Sequence, residues 1–240
     1  MAMELTQFIS PKQLLEIKRE IVEEALAKSN PIVALQYAEG ILLMAENPSR
    51  SLNKISEIYD RIAFAGTGLF TDYEKLRKAG VQYADLRGYT YSRRDVRAKP
   101  LASEYSTILG EIFSREQVPL EVEILLAEVG ESEGEDRLFK IPFSGGLVEE
   151  IGFAALGDIS KDEESSKYKR GTIRKFLQES SFAPAAALEA ALRIGYKALT
   201  IGRGGERLRP ENLELAVLDR TTSRSRKFRR LSPESLSFSA

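Results

Sequence analysis

Histidine and cysteine are both absent from the 240 residues of the chain. Without cysteine there is no disulfide framework, no thiol nucleophile and no thiolate for a structural zinc. Without histidine there is no imidazole to serve as general base near neutral pH, which removes the histidine-based hydrolase systems and the usual metal sites together. A charge of one sign is missing as well. The chain carries 35 Lys and Arg against 36 Asp and Glu, a formal net charge of -1, so no global field draws it to nucleic acid or to an anionic membrane. No run approaches the ~18 continuous apolar residues of a membrane span. The opening Met1-Ala2-Met3-Glu4-Leu5 has neither the basic lead nor the apolar core of a signal peptide. The expectation is a cytoplasmic protein that uses no metal or cofactor and binds neither nucleic acid nor membrane.

What is present is an ordinary globular composition, 42% hydrophobic and 30% charged, divided into legible elements. Ser10-Pro11-Lys12-Gln13 reads as a capping box with proline in the first turn. The helix that follows places Leu14, Ile17, Ile21, Val22 and Ala25 on one stripe, with Lys18, Arg19, Glu20, Glu23 and Glu24 on the other side. From Ile32 the pattern turns to strand. Ile32 to Tyr37 and Ile41 to Met44 form a hairpin apolar enough to be covered on both faces, and Lys54 to Ile58 and Arg61 to Ala65 form two more strands, with Gly66-Thr67-Gly68 breaking the sheet. Two helices follow, marked by Phe70, Tyr73, Leu76, Gly80 and Tyr83 and then by Leu101, Tyr105, Ile108 and Ile112. Strand signals return over Leu120 to Val129, Leu138 to Ile141 and Val148 to Leu156.

A second helical pair is expected, one opening at a capping box Ser160-Lys161-Asp162-Glu163 and running through Phe176. The other opens at Pro184, with Gly195 on its apolar stripe signalling a close helix contact. Leu213 to Leu218 and Lys227 to Leu231 close the chain as strands. Helices in pairs between blocks of strand fit one layered α+β domain, a four-layer αββα sandwich of two antiparallel sheets flanked by helices.

The chemistry left open by the missing residues is nucleophilic attack by Ser with Lys, or by an N-terminal Thr or Ser. Ser51-Leu52-Asn53-Lys54 matches an S-x-x-K pattern, which needs Ser and Lys on successive helical turns and partner motifs that this sequence lacks. An N-terminal nucleophile must open the first strand of the sheet, and here a helix of roughly four turns precedes Asn30-Pro31-Ile32. Gly202-Arg203-Gly204-Gly205-Glu206-Arg207 follows a helix instead of linking strand to helix, so it reads as a helix-ending loop before a phosphate loop. The basic stretch Arg220, Arg224, Arg226, Lys227, Arg229 and Arg230 either contacts phosphates or guards an edge strand. Glu131, Glu133, Glu135 and Asp136 either ligate a cation or form a hairpin tip between glycines.

Several longer blocks, in order, resemble α-type subunits of the proteasome core particle, in their bacterial (actinobacterial-type) branch. They are Phe8 to Pro11, Ala45 to Leu52, Lys54 to Arg61, Leu76 to Gly80, Arg87-Gly88-Tyr89 with Arg93 to Val96, and Leu215 to Asp219. Two places depart from the family's usual wording, Pro119-Leu120 and Ile151 to Asp158. The resemblance implies an N-terminal-nucleophile-hydrolase-like sandwich with an extra N-terminal helix. Its parts would be a gating tail over 1-9, the helix over 10-29, the sandwich over 30-231 and a tail over 232-240. It implies no catalytic residue in this chain. The expected role is an outer heptameric ring that stacks on proteolytic β-subunits, admits unfolded protein substrates and docks the C-terminal tails of a ring-shaped ATPase or other activator. By the same resemblance Lys54 meets the tail carboxylate, Gly68 and Leu69 form the pocket wall, and Leu5, Phe8 and Ile9 pack at the gate. A self-compartmentalising N-terminal-nucleophile peptidase, or a Ser-Lys hydrolase using Ser51 and Lys54, stays open as the alternative.

Overall fold

The computed structural model describes residues 10–49, 51–161, 168–180 and 182–232. Helix α1 (Pro11–Lys28) leads into β1 (Ile32–Tyr37), β2 (Gly40–Glu46), β3 (Ile55–Tyr59) and β4 (Ile62–Gly68). Helices α2 (Phe70–Thr90) and α3 (Ala98–Arg115) come next, followed by β5 (Val122–Glu128), β6 (Arg137–Pro142), β7 (Val148–Glu150), β8 (Phe153–Leu156) and a short hairpin of β9 (Ile159–Lys161) and β10 (Tyr168–Arg170). The chain closes with α4 (Thr172–Glu179), α5 (Leu188–Gly202), β11 (Leu213–Asp219) and β12 (Phe228–Leu231).

Two five-stranded sheets result, ordered β12-β11-β2-β1-β8 and β3-β4-β5-β6-β7, and every pairing within them is antiparallel. They pack face to face through a layer rich in alanine, including Ala34, Ala63, Ala65, Ala127, Ala154 and Ala216, with Ile32, Leu43, Leu125 and Leu156 filling between them. Small side chains on facing strands let the sheets approach without leaving voids. Helices α4 and α5 cover the outer face of the first sheet, and α2 and α3 cover that of the second. The expected αββα layering is the one observed. Both β1 and β2 are buried along their whole length, the polar Gln36 and Glu46 included.

Four local expectations are corrected. The strand read over Val148 to Leu156 is two strands in different sheets. It divides at Ile151-Gly152, where Gly152 takes φ +79°, so the chain crosses from one sheet to the other at the residue that most easily adopts that turn. No helix opens at Ser160, because Ile159–Lys161 pairs as strand β9. The helix begins at Thr172, where the carboxylate of Asp158 accepts from the amides of Ile173 and Arg174 at 2.9 Å each and supplies a cap that adjacent residues do not. The remainder of the expected capping box, Asp162-Glu163, lies outside the described residues. Pro184 stands in a turn before α5 instead of opening it, and Gly195 lets α5 approach Leu35 and Met44 of the sheet instead of another helix.

The leading helix has the predicted start. The Ser10 hydroxyl accepts from the Gln13 amide while the Gln13 side chain returns to the Ser10 amide. Its buried face, however, is Lys18, Val22 and Leu26, about one residue round from the apolar stripe. Lys18, expected on the solvent side, is buried. Its ammonium instead donates to the carbonyls of Phe113 and Glu116, where the C-terminal end of α3 offers unsatisfied, partly negative carbonyls. Val22 and Leu26 pack with Phe113, Phe143 and Ile159. Leu14, Ile17 and Ile21 are left half-exposed, an apolar row that the described residues do not cover.

Candidate functional site

Where α1 ends and β1 begins, the Asn30 carbonyl receives two donors, the Lys54 ammonium at 2.6 Å and the Thr67 hydroxyl at 3.0 Å. Thr67 is fully buried, and its oxygen also lies 2.8 Å from the Ser29 hydroxyl that caps α1. The end of the helix, the start of β1 and the last turn of β4 are therefore tied at one point. Lys54 reaches it from the start of β3, where its own carbonyl accepts from the Gly66 amide at 2.9 Å.

Lys54 is largely removed from water, and this desolvation lowers its pKa to about 8 against the opposing pull of Glu214 and Glu46. Both carboxylates are already engaged, Glu46 by Arg203 and Glu214 by Arg230. Among the described residues the ammonium makes one hydrogen bond, to a neutral carbonyl, although it has three hydrogens to give. A desolvated cation with unused donors is suited to a single carboxylate arriving from outside.

The Gly68-Leu69 corner adjoins this point through Thr67. β4 does not break at Gly66-Thr67-Gly68 as expected. It stays paired to Gly68, opposite Val122, and turns into α2 immediately afterwards. Gly68 has φ +104°, and a Cβ there would lie 2.0 Å from the Glu121 carbonyl oxygen, so the corner itself requires glycine. Leu69 donates its amide to that same carbonyl at 2.8 Å and leaves its side chain half-exposed. Lys54, Gly68 and Leu69 are thus brought to one end of the β3–β4 pair. Leu5, Phe8 and Ile9 lie outside the described residues. Asn30, Thr67 and Glu214 were missed at the sequence level, although an acidic residue inside the apolar run Leu213 to Leu218 was a visible signal.

Among the described residues the competing chemistries find no geometry. Ser51 and Lys54 lie in the β2–β3 connection and not on a helix, so the S-x-x-K spacing does not stack their side chains. The glycines after α5 fold back on it, with the Gly204 and Gly205 amides donating to Ile201 and Thr200, so these amides already have acceptors. In the basic stretch Arg220 pairs with Asp136, Arg226 with Glu57, Arg229 with Asp219 and Arg230 with Glu214. At the acidic tip, Glu135 accepts from the amides of Glu131 and Ser132. Among the described residues no group of three or more acidic side chains is placed to hold a metal ion, and no helix is long and apolar enough to cross a membrane.

Two helix-covered antiparallel sheets, with a helix continuing backwards from the strand that would otherwise present a free N-terminus, define the class: an N-terminal-nucleophile-hydrolase-like sandwich closed at that end. Comparison with known proteins makes the assignment specific. The family model described as "Proteasome subunit" matches residues 26–218. A protein named "Proteasome subunit alpha" from Nocardioides sp. is 41% identical over 98% of this chain and 88% of its own length. Proteins of the same name from Kineococcus radiotolerans and Streptomyces coelicolor are 43% and 44% identical, over 94% and 93% of this chain and 93% and 85% of their own lengths. The chain belongs to the proteasome subunit family.

Proposed function

We propose that this chain is a non-catalytic α-type subunit, which assembles with copies of itself and with β-subunits into a gated cytoplasmic proteolytic cylinder and docks an activator through Lys54. The observation that carries the reading is the continuity of the chain through α1 into β1. An N-terminal-nucleophile enzyme needs a free α-amino group at the start of that strand. Here Asn30 is preceded by a helix anchored by buried Val22 and Leu26 and by Lys18 on the end of α3. Partner surfaces are in keeping with the half-exposed Leu14, Ile17 and Ile21. Lys54 is the carboxylate-binding cation, with Leu69 on the adjoining wall.

The test is reconstitution with a β-subunit. The chain alone should hydrolyse no peptide, and activity should appear with the assembled cylinder. Hydrolysis by the chain alone that disappears in Ser51→Ala would revive the Ser-Lys alternative. For the gate, deleting residues 1-9, which include Leu5, Phe8 and Ile9, should raise the rate at which the cylinder cleaves a short fluorogenic peptide in the absence of activator. An unchanged rate would remove these residues from that role.

A further inference from the structure

Lys54 is the last residue before β3, at the end of the connection by which the chain passes from one sheet to the other, since β2 and β3 belong to different sheets. A docking cation at the end of such a crossover needs something to fix the crossover, and one side chain does so. Glu214, on β11, has a side chain only 8% exposed. One of its oxygens accepts from the Lys54 amide at 2.8 Å and from the Asn47 side-chain amide at 2.7 Å. The other accepts from the Ile55 amide at 3.1 Å and from Arg230 at 2.8 Å. Asn47 stands at the far end of the same connection, and its amide also reaches the Leu52 carbonyl at 2.6 Å. A single carboxylate therefore clamps both ends of the connection, and three of its four donors belong to that connection or to the first residue of β3.

We propose that Glu214 is the positioning residue of the docking site, holding the backbone at Lys54 so that the ammonium is presented at the Asn30 end of β1. The proposal rests on the docking reading of Lys54. It differs from a general stabilising role because Arg230 supplies a control. Both Glu214→Gln and Arg230→Ala abolish the Glu214–Arg230 ion pair, and Arg230→Ala also removes the guanidinium contact to the Ile55 carbonyl at 2.8 Å, but only Glu214→Gln places an NH2 group among the Lys54, Ile55 and Asn47 donors where an oxygen stood.

The experiment uses the assembled α/β cylinder and two readouts. One is binding of fluorescein-Gly-Gly-Leu-Leu with a free C-terminal carboxylate, against its C-terminally amidated twin. The other is the rate of Lys54 acetylation in a pulse of acetic anhydride, measured by mass spectrometry relative to exposed Lys175. Glu214→Gln should weaken binding of the free-carboxylate peptide by about fivefold to tenfold and accelerate Lys54 labelling, while Arg230→Ala, which removes one clamp partner but keeps the carboxylate on the Lys54 and Ile55 amides, should change both clearly less. Equal behaviour of Glu214→Gln and Arg230→Ala, or unchanged Lys54 labelling in Glu214→Gln, would overturn the proposal. Unchanged peptide binding in Lys54→Ala would instead sink the docking reading, and the labelling rates alone would then decide whether Glu214 positions Lys54. Because the Glu214 charge itself favours the protonated Lys54, Asn47→Ala, which removes one clamp donor and leaves the carboxylate, is measured alongside; faster labelling in it supports the clamp, and unchanged labelling overturns it.

Discussion

Replacing Lys54 by alanine should reduce activator-stimulated degradation by the assembled cylinder about tenfold or more, read as the activator concentration that gives half-maximal stimulation, while the cylinder still assembles. The size follows from the environment. A charge-assisted contact to a carboxylate is worth roughly twice a neutral hydrogen bond, and at Lys54 the desolvation is already present before the partner arrives. The fold should be spared because the acceptor that Lys54 serves is not orphaned. The Asn30 carbonyl keeps the Thr67 hydroxyl at 3.0 Å, and removing a desolvated cation also removes the cost of having buried it. Lys54→Arg tests geometry separately from charge, since a planar guanidinium does not reproduce the single contact of an ammonium. Leu69→Ala should weaken docking less, as the loss of apolar contact alone.

The same site should impose a pH dependence. With its pKa lowered to about 8, Lys54 loses its proton over a range in which an ordinary surface lysine, near 10.5, stays charged. Docking that needs the ammonium should be constant below about pH 7 and weaken progressively above pH 8, until the pKa of the bound state is reached. For stability the sign is opposite. The folded chain gives up the Lys54 proton more readily than the unfolded chain, so the unfolded chain binds more protons between about 8 and 10.5, and in that window the Lys54 contribution to stability rises with pH. Docking that weakens while the unfolding temperature of the same sample does not fall would separate the two effects. An affinity flat to pH 10 would show that Lys54 does not carry the contact.

Much of this was legible from the letters because the elements are locally self-consistent. β1 and β2 read as strands because both their faces are covered, and α2 and α3 as helices because one face of each is. What failed was whatever depended on a distant partner. Lys18 looks solvent-facing on a helical wheel, and only the end of α3, some ninety-five residues away in sequence, makes it a buried cap. Val148 to Leu156 reads as one strand because nothing local announces that Gly152 carries the chain between sheets. Asp158 caps α4 from across the β9–β10 hairpin, whereas the local capping pattern points to Ser160. At the site, Lys54 was recognisable within its block. Glu214 was not, because its role arises from where β11 runs, between β2 and β12.

The largest effect on the fold should come from Gly68→Ala, which is expected to prevent assembly or to lower the stability of the chain by several kcal/mol, measured as loss of cylinders on size-exclusion chromatography and as a lower unfolding temperature. Two penalties act together. The backbone at φ +104° lies where an L side chain is strained, and the new methyl would stand 2.0 Å from the Glu121 carbonyl oxygen, so either the corner or the backbone at Glu121 must move. That carbonyl is also the acceptor for the Leu69 amide, and Asp72 in the first turn of α2 accepts from the Glu121 amide, so relief by movement breaks the corner that joins β4 to α2. Gly134→Ala is the matched control. Gly134 has no heavy atom within 4 Å of an added Cβ and no left-handed backbone, and alanine there should change the unfolding temperature little. A Gly68→Ala cylinder as stable as the Gly134→Ala one would mean that the corner relaxes freely. Because Gly68→Ala acts on the backbone that carries the site, a docking defect in it reports the corner and not a contact; Leu69→Ala, which leaves the corner intact, is the variant that measures the wall.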